Sequence, residues 1–372
     1  MSVSESPREN GSAARLRVGV IGCGGIAQMM HLPHLRELHD RYEIAALCDL
    51  SPGVLRDVGA DYGVTRLYTD YRALLAQDDI AAVLVLTAGS HAPVALAAAQ
   101  AGKHLFVEKP LCYTLAEADA VLAAVRQANV TLMVGYMKRF DSGYLYLKNA
   151  LASVERLRYV QVNVLHPAEE AYIEHHHLHR HRDIEPAALA SLEASNRALV
   201  ASVLGPGYGA GEEYAFVEVL LSSLVHDVNA LRGLLGEPEE VLGTEIWNEG
   251  RCLVTTLRYT PDVHCVLAWT YLPDLRNYQE TLAFYADAVR LRLEFPSPFL
   301  RNVPTPVVVE RMDGAYAGET RIMPAPGEAF KEELLHFHHC VTTGQPPQTD
   351  GADARADVAL LHRIFAARRP AH

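Results

Sequence analysis

The six residues Gly22-Cys23-Gly24-Gly25-Ile26-Ala27 constrain this chain more than any other feature. They follow a short apolar run at 17–21 and open a stretch that reads as a helix. In that context G-x-G-x-x-A has a physical meaning at each place. Gly22 permits a tight turn, Gly24 lets the backbone approach a diphosphate, and the small Ala27 lets helix pack closely on strand. Gly25 and Ile26 then bring free N–H groups to a helix N-terminus, where an anion is favoured. A bare glycine pattern fits a simple tight turn equally well. Asp49 adds a second signal, because it ends the next apolar run, 22 residues after Ala27. A carboxylate there can bind the adenosine ribose hydroxyls; it can also cap a helix in Asp49-Leu50-Ser51-Pro52. The whole unit predicts a dinucleotide site. An acid at position 49 disfavours a 2′-phosphate, so NAD is favoured over NADP.

A length of 372 residues suggests two domains, at about 150 residues each. Runs at 17–21, 43–48, 81–87, 103–107 and 131–134 are short, rich in Val, Leu and Ile, and separated by helical patterns. Such runs predict parallel strands buried on both faces, with crossover helices between them. Thr114 and Glu117 have capping-box spacing at the start of a helix over 114–128. From about 155 the pattern changes. Residues 157–165 alternate like a strand with one buried face, and further strands are expected at 245–247, 253–259, 263–271, 281–285 and 289–295. Thr260-Pro261-Asp262 joins two of these as a hairpin that sets Cys265 opposite Arg258. Closing helices are expected at 328–343 and 353–368. The expected fold class is therefore α/β: an N-terminal Rossmann domain over 15–140, then an α/β domain over 141–372 with a large, mostly antiparallel open sheet. Residues 1–14 read as a disordered tail, and 167–213 as a helical, histidine-rich insertion.

Composition narrows the partners. A net charge of −12 and a pI near 5.8 argue against binding to nucleic acid, whose affinity rests on Lys and Arg neutralising phosphates. The longest uncharged run, between Asp79 and Lys103, is broken by Gly89, His91 and Pro93, so no membrane span is expected. The start lacks a basic, then apolar, leader, and the six cysteines show no CxxC spacing. Free buried thiols and a cytoplasmic location follow. The expected partner is a small polyhydroxylated molecule.

Ala101-Gly102-Lys103-His104-Leu105-Phe106-Val107-Glu108-Lys109-Pro110-Leu111 resembles the "AGKHVxxEKPL" signature of the glucose–fructose oxidoreductase / inositol dehydrogenase (Gfo/Idh/MocA) family. The similarity begins at His31-Leu32-Pro33 and continues through Met133-Val134-Gly135-Tyr136-Met137-Lys138-Arg139-Phe140. The resemblance implies a second domain whose open sheet forms the substrate face and often an oligomer interface, hence a homodimer or homotetramer. It places Lys109 beside the nicotinamide and the substrate hydroxyl, where an ammonium can stabilise developing charge on oxygen. Thr87, His91 and Glu108 are assigned to the cofactor with it, and Pro110 fixes the backbone. The family's D-x-G-x-H-x-x-D helix aligns with Ser222 to Asn229, so His226 is the candidate general acid/base. The first Asp is Ser222 here and the last is Asn229. That removes a carboxylate that would orient His226 and raise its pKa. Asp227 is a poor substitute, since consecutive helix positions diverge by about 100°. Tyr136 and Arg139 are expected to line the substrate pocket.

Five histidines crowd residues 175–181. On a helix His175/His179 and His177/His181 would share faces, a spacing that can bind metal, yet no carboxylate or thiol completes a site, and none is assigned. A solvated polar helix and a wall of the substrate pocket remain open, the latter with His166 and Arg180 facing the cleft. The group His336, His338 and His339 reads as helix packing. The function expected is an NAD-dependent oxidoreductase acting at a secondary alcohol or ketone carbon of a sugar, cyclitol or sugar-derived intermediate. The alternatives are a lyase or glycosidase that uses retained NAD transiently, and a non-catalytic dinucleotide-binding subunit.

Overall fold

The computed structural model describes residues 15–325 and 327–369; the expected tail over 1–14 lies outside them. The first sheet holds β1 (Leu16–Ile21), β2 (Tyr42–Cys48), β3 (Leu67–Tyr68), β4 (Ala82–Val85), β5 (His104–Glu108) and β6 (Leu132–Gly135). All pairs are parallel, in the order β3-β2-β1-β4-β5-β6. The order reverses between β1 and β4, which opens a crevice beyond the carboxyl ends of the strands. β4 is buried at every position, as a strand covered on both faces must be. The capping box forms at the helix Leu115–Ala128: Thr114 Oγ1 accepts from the Glu117 N–H, and the Glu117 carboxylate accepts from the Thr114 N–H.

The second sheet holds β7 (Leu157–His166), β8 (Glu240–Trp247), β9 (Cys252–Tyr259), β10 (Val263–Tyr271), β11 (Gln279–Ala286), β12 (Val289–Phe295), β13 (Val307–Asp313) and β14 (Tyr316–Ile322). Their order is β14-β13-β12-β11-β7-β10-β9-β8. Every pair is antiparallel except β7 with β10. Val160, Val162 and Val164 turn one face of β7 into the core. That core is continuous with the first sheet: Val83 and Val107 belong to the same apolar cluster as Val162, Leu221 and Leu267.

Several expectations need correction. The edge hairpin β13–β14 was missed, because β14 is exposed along nearly its whole length and shows no apolar alternation. The β9–β10 hairpin forms with three residues in its loop, so Cys265 faces Leu257 and Arg258 faces His264. All six cysteines are free and buried. The helix Pro186–Leu204 forms as expected, but residues 174–185 are turns and extended chain. The helical spacing argument for His175 to His181 therefore fails. The continuous helical run Ala210–Leu235 is long and apolar enough to cross a membrane, yet 67% of its apolar window is packed inside the protein.

Candidate active site

The glycine turn is fixed by close approach. Gly22 has φ +94°, and a Cβ there would stand 2.6 Å from the Leu86 carbonyl. A Cβ on Gly24 would meet nothing within 4 Å, so the backbone at Gly24 is open to a bound group. Asp49 braces the turn: Oδ2 accepts from the Cys23 N–H at 2.7 Å and Oδ1 from the Ser51 N–H at 2.9 Å. Ser51, not Asp49, caps the helix Pro52–Tyr62. Thr87 ends the far lip of the crevice with its Oγ1 buried and without a partner among the described residues. An open glycine backbone, a helix start and an orphaned hydroxyl fit a dinucleotide.

Where the crevice meets the second sheet lies a cleft of about 600 Å³. Ile26, Thr87, His91, Glu108 and Lys109 reach it from the first sheet, and His166, Trp269, Tyr271 and Tyr278 from the second. Glu218, Ser222 and His226 complete it from the helical run above. That run is wound as a π-helix over Ala215–Leu224 before becoming an α-helix at Val225–Leu235. Such widened turns free carbonyl groups and recur at functional sites. Here the Ser222 carbonyl accepts from Lys109 Nζ at 2.7 Å. Ser222 thus contributes its backbone to the site, and its neighbour Ser223 accepts from the Trp269 indole N–H at 2.9 Å. The Lys109–Pro110 bond is cis, and the Pro110 carbonyl meets His91 Nδ1 at 2.7 Å.

Burial pushes Lys109 below the usual lysine range, with Glu108 opposing. His226 is held well below the usual histidine range, first by burial and then by the ammonium groups of Lys109 and Lys138. Its imidazole is therefore neutral near neutral pH, and Nδ1 has no partner among the described residues. Among the described residues no carboxylate pairs with it: Asp227 instead lies 3.9 Å from Lys138 Nζ. Glu218 is raised above the usual carboxylate range by burial and by Glu169 across the cleft, with Lys109 opposing. His31 Nε2 meets Glu108 Oε1 at 2.7 Å. Burial opposes ionisation of Glu108, but His31 and Lys109 hold it below the usual range. Glu333 stands beside this pair, and the ligand atoms of His31, Glu108 and Glu333 lie within 4.8 Å of one another. Burial, then Glu108, drives Glu333 well above the usual carboxylate range, and neither of its oxygens has a hydrogen-bond partner among the described residues.

Three expected pocket residues point elsewhere. Tyr136 is buried behind His226, ring to ring at 6.4 Å, and does not line the cleft. Arg139 turns into the core, where its guanidinium donates to the Asn229 carbonyl at 3.2 Å and lies 3.6 Å from Asp353. Its neighbour Lys138 takes the cleft position and pairs with Glu280, whose other oxygen accepts from Tyr278. The short 3₁₀ turn Met137–Phe140 swings successive side chains by about 120°, which the linear motif does not reveal. Arg180 does not line the cleft but an adjoining cavity, which shares Glu169 and Glu170 with it. Glu169, Glu218, Tyr278 and Trp269 were not singled out from the sequence. Glu218 lies eight residues before His226 on the same helical run, the one signal that could have found it.

Residues 16–136 match the family described as "Oxidoreductase family, NAD-binding Rossmann fold", Gfo/Idh/MocA. The chain is similar to the myo-inositol 2-dehydrogenase of Thermotoga maritima, 25% identical over 356 residues and 93% of each chain. It is 39% identical over 142 residues to the inositol 2-dehydrogenase/D-chiro-inositol 3-dehydrogenase of Shouchella clausii, across 37% of this chain and 40% of that protein. In fold it is similar to KijD10, a 3-ketoreductase from Actinomadura kijaniata crystallised with NADP, at TM-score 0.72 and 21% identity, over 95% of this chain and 98% of that one. With its glycine turn and its EKP lysine, the first domain of this chain, over residues 16–136, belongs to the Gfo/Idh/MocA oxidoreductase family with an NAD-binding Rossmann fold.

Proposed function

We propose that the protein is an NAD-dependent dehydrogenase or reductase acting at a secondary alcohol or ketone carbon of a sugar, cyclitol or sugar-derived intermediate. The observation that carries this reading is the convergence of Lys109, Ser222 and His226 on a cleft that also receives Ile26 and Thr87 from the dinucleotide crevice. When bound, the nicotinamide supplies or accepts the hydride. Gly22 to Ala27, with Asp49, Thr87, His91 and Glu108, would hold the cofactor. The Ser222 carbonyl aims the Lys109 ammonium at the substrate oxygen, where it stabilises charge as the carbon changes oxidation state. Neutral His226 takes the hydroxyl proton during oxidation and returns it during reduction. His166, Glu169, Glu218 and Tyr278 offer hydrogen-bonding groups to further hydroxyls, and Trp269 offers an apolar wall. The names of the inositol dehydrogenase relatives support a polyol substrate. Asp49 supports NAD over NADP. The outward face of the second sheet, around Gln161, Asn163, Thr281 and Arg292, is the surface through which a homodimer or homotetramer would form.

A panel of sugars, cyclitols and their phosphates tests the reading. At least one is expected to reduce NAD, followed by the absorbance of reduced nicotinamide. Turnover of a panel member with no net reduced cofactor would favour the lyase or glycosidase alternative instead.

A further inference from the structure

We propose that residues 178–196 form a clasp over the adenosine end of the dinucleotide crevice, and that Asp183 stands where a 2′-phosphate would otherwise be held. The inference rests on reading that crevice as a dinucleotide site. It starts from where the histidine-rich insertion lands. Its first residues, Pro167, Glu169 and Glu170, line the substrate cleft, and from His179 the segment lies against the first domain. His179 pairs twice with Gln28, on the helix that follows the glycine turn: its N–H donates to Oε1 at 2.8 Å, and its carbonyl accepts from Nε2 at 3.1 Å. Its imidazole meets Asp61 at 2.7 Å, and that of His181 meets Asp57 at 2.7 Å. Asp183 then reaches the first turn of the helix Pro52–Tyr62, where it accepts from the Ser51 hydroxyl and, at 2.7 Å, from the Gly53 N–H. Further along, Asn196 accepts from the Ser90 N–H at 3.2 Å, on the opposite lip.

One stretch of chain therefore touches the glycine-turn helix, the lip after β2 and the lip after β4. A dinucleotide lies between those lips. The approach is close at both. A Cβ at Gly53 would stand 2.5 Å from the His181 ring, and one at Gly89 would collide with the Asn196 amide. The helix that carries Asn196 is otherwise loosely held, since Val200 is the only one of its 19 residues that is fully buried. Polar contacts at the ends, with few apolar contacts between, describe a segment that can lift without unfolding a core.

The same contacts bear on cofactor choice. A helix N-terminus beside the ribose is the natural seat of a 2′-phosphate. Here its donors are already taken: Asp183 holds the Ser51 hydroxyl and the Gly53 N–H, and Asp49 holds the Ser51 N–H. Residues 49–53 include no Lys or Arg. A 2′-phosphate would meet two carboxylates, with the Ser51 and Gly53 donors already engaged.

The test is displacement of bound NADH by excess NAD in a stopped-flow fluorimeter, with NADH and NADPH affinities from fluorescence titration. Asp183→Ala is expected to speed NADH release by about fivefold, the scale of one exposed charge-assisted contact, and to narrow the preference for NADH over NADPH. Asn196→Ala is expected to speed release without changing that preference. Thermal melts confirm that each variant is folded. Release rates unchanged in both folded variants overturn the clasp, as does a fall in melting temperature with no change in release. Asp183→Ala that speeds release but leaves the coenzyme preference unchanged overturns the 2′-phosphate assignment. Failure of the wild-type protein to bind either coenzyme would overturn the dinucleotide reading itself, and the clasp with it.

Discussion

Lys109→Met probes the proposed chemistry at its centre. Methionine keeps the length and apolar stem of the side chain but deletes the ammonium that donates to Ser222 at 2.7 Å. Two consequences separate. A positioned donor at the oxygen where charge develops is worth about 2.7–4 kcal/mol, so kcat should fall by about 10²–10³-fold. KM should move less, because the contact strengthens mainly in the transition state. The second consequence concerns His226. Burial and two ammonium groups hold its pKa well below the usual range, and Lys109 is one of the two. Removing one of the two ammonium groups lifts part of that depression, so the His226 pKa should rise. His226 serves as a base only when neutral, so oxidation is lost as pH falls through its pKa. In Lys109→Met that acid limb should move to higher pH. The assay is kcat and kcat/KM against pH on the substrate found in the screen, with NADH affinity measured alongside. Unchanged kcat with intact cofactor binding would refute the role of Lys109. A reduced kcat with an unmoved acid limb would refute its coupling to His226.

Three further outcomes are expected. Gly22→Ala places a Cβ 2.6 Å from the Leu86 carbonyl at φ +94°, so stability should fall by about 3 kcal/mol and NADH affinity by at least about tenfold, read by urea denaturation and titration. Arg139→Met should cost about 1–3 kcal/mol in stability by removing the buried guanidinium that meets the Asn229 carbonyl, while Asp353 keeps Arg232 and Asn229, yet leave kcat per folded molecule unchanged, since Arg139 does not line the cleft. His34 is buried, with Nδ1 3.5 Å from the Glu37 carboxylate and Nε2 unpartnered among the described residues, and burial, opposed by Glu37, lowers its pKa to about 4. Its folded pKa lies below the unfolded value of about 6.5, so its contribution is complete above that pH and is lost as pH falls toward 4, by about 3 kcal/mol in all. His34→Leu should flatten that loss in denaturation curves taken across the window.

The first domain was largely legible because its signals are local. The glycine turn, the five apolar runs and the Thr114–Glu117 box each act within one turn or one strand. Lys109 and His226 were found through motifs, and the structure brings both to one cleft. What escaped depends on distance along the chain or on phase within a turn. Glu169, Glu218 and Tyr278 come from separate elements that only the tertiary fold brings together. Lys138 and Arg139 exchange places because a 3₁₀ turn, rather than a strand or α-helix, carries them. The destination of His179 to Asp183 is set by contacts to Gln28, Ser51, Asp57 and Asp61, more than a hundred positions earlier. β14 escaped because an exposed edge strand needs no apolar face.

The wall of the cleft has an optical consequence. The chain has two tryptophans, and their surroundings differ sharply. Trp269 is 4% exposed, forms part of the cleft and donates to Ser223, whereas Trp247 is 44% exposed on the edge strand β8. An indole in a dry pocket emits at shorter wavelength than one in water. Reduced nicotinamide absorbs in the band where indoles emit, so loading the crevice should quench the blue component and spare the red. Trp247→Phe would leave a single indole, and the protein would then report occupancy of its own cleft without a label.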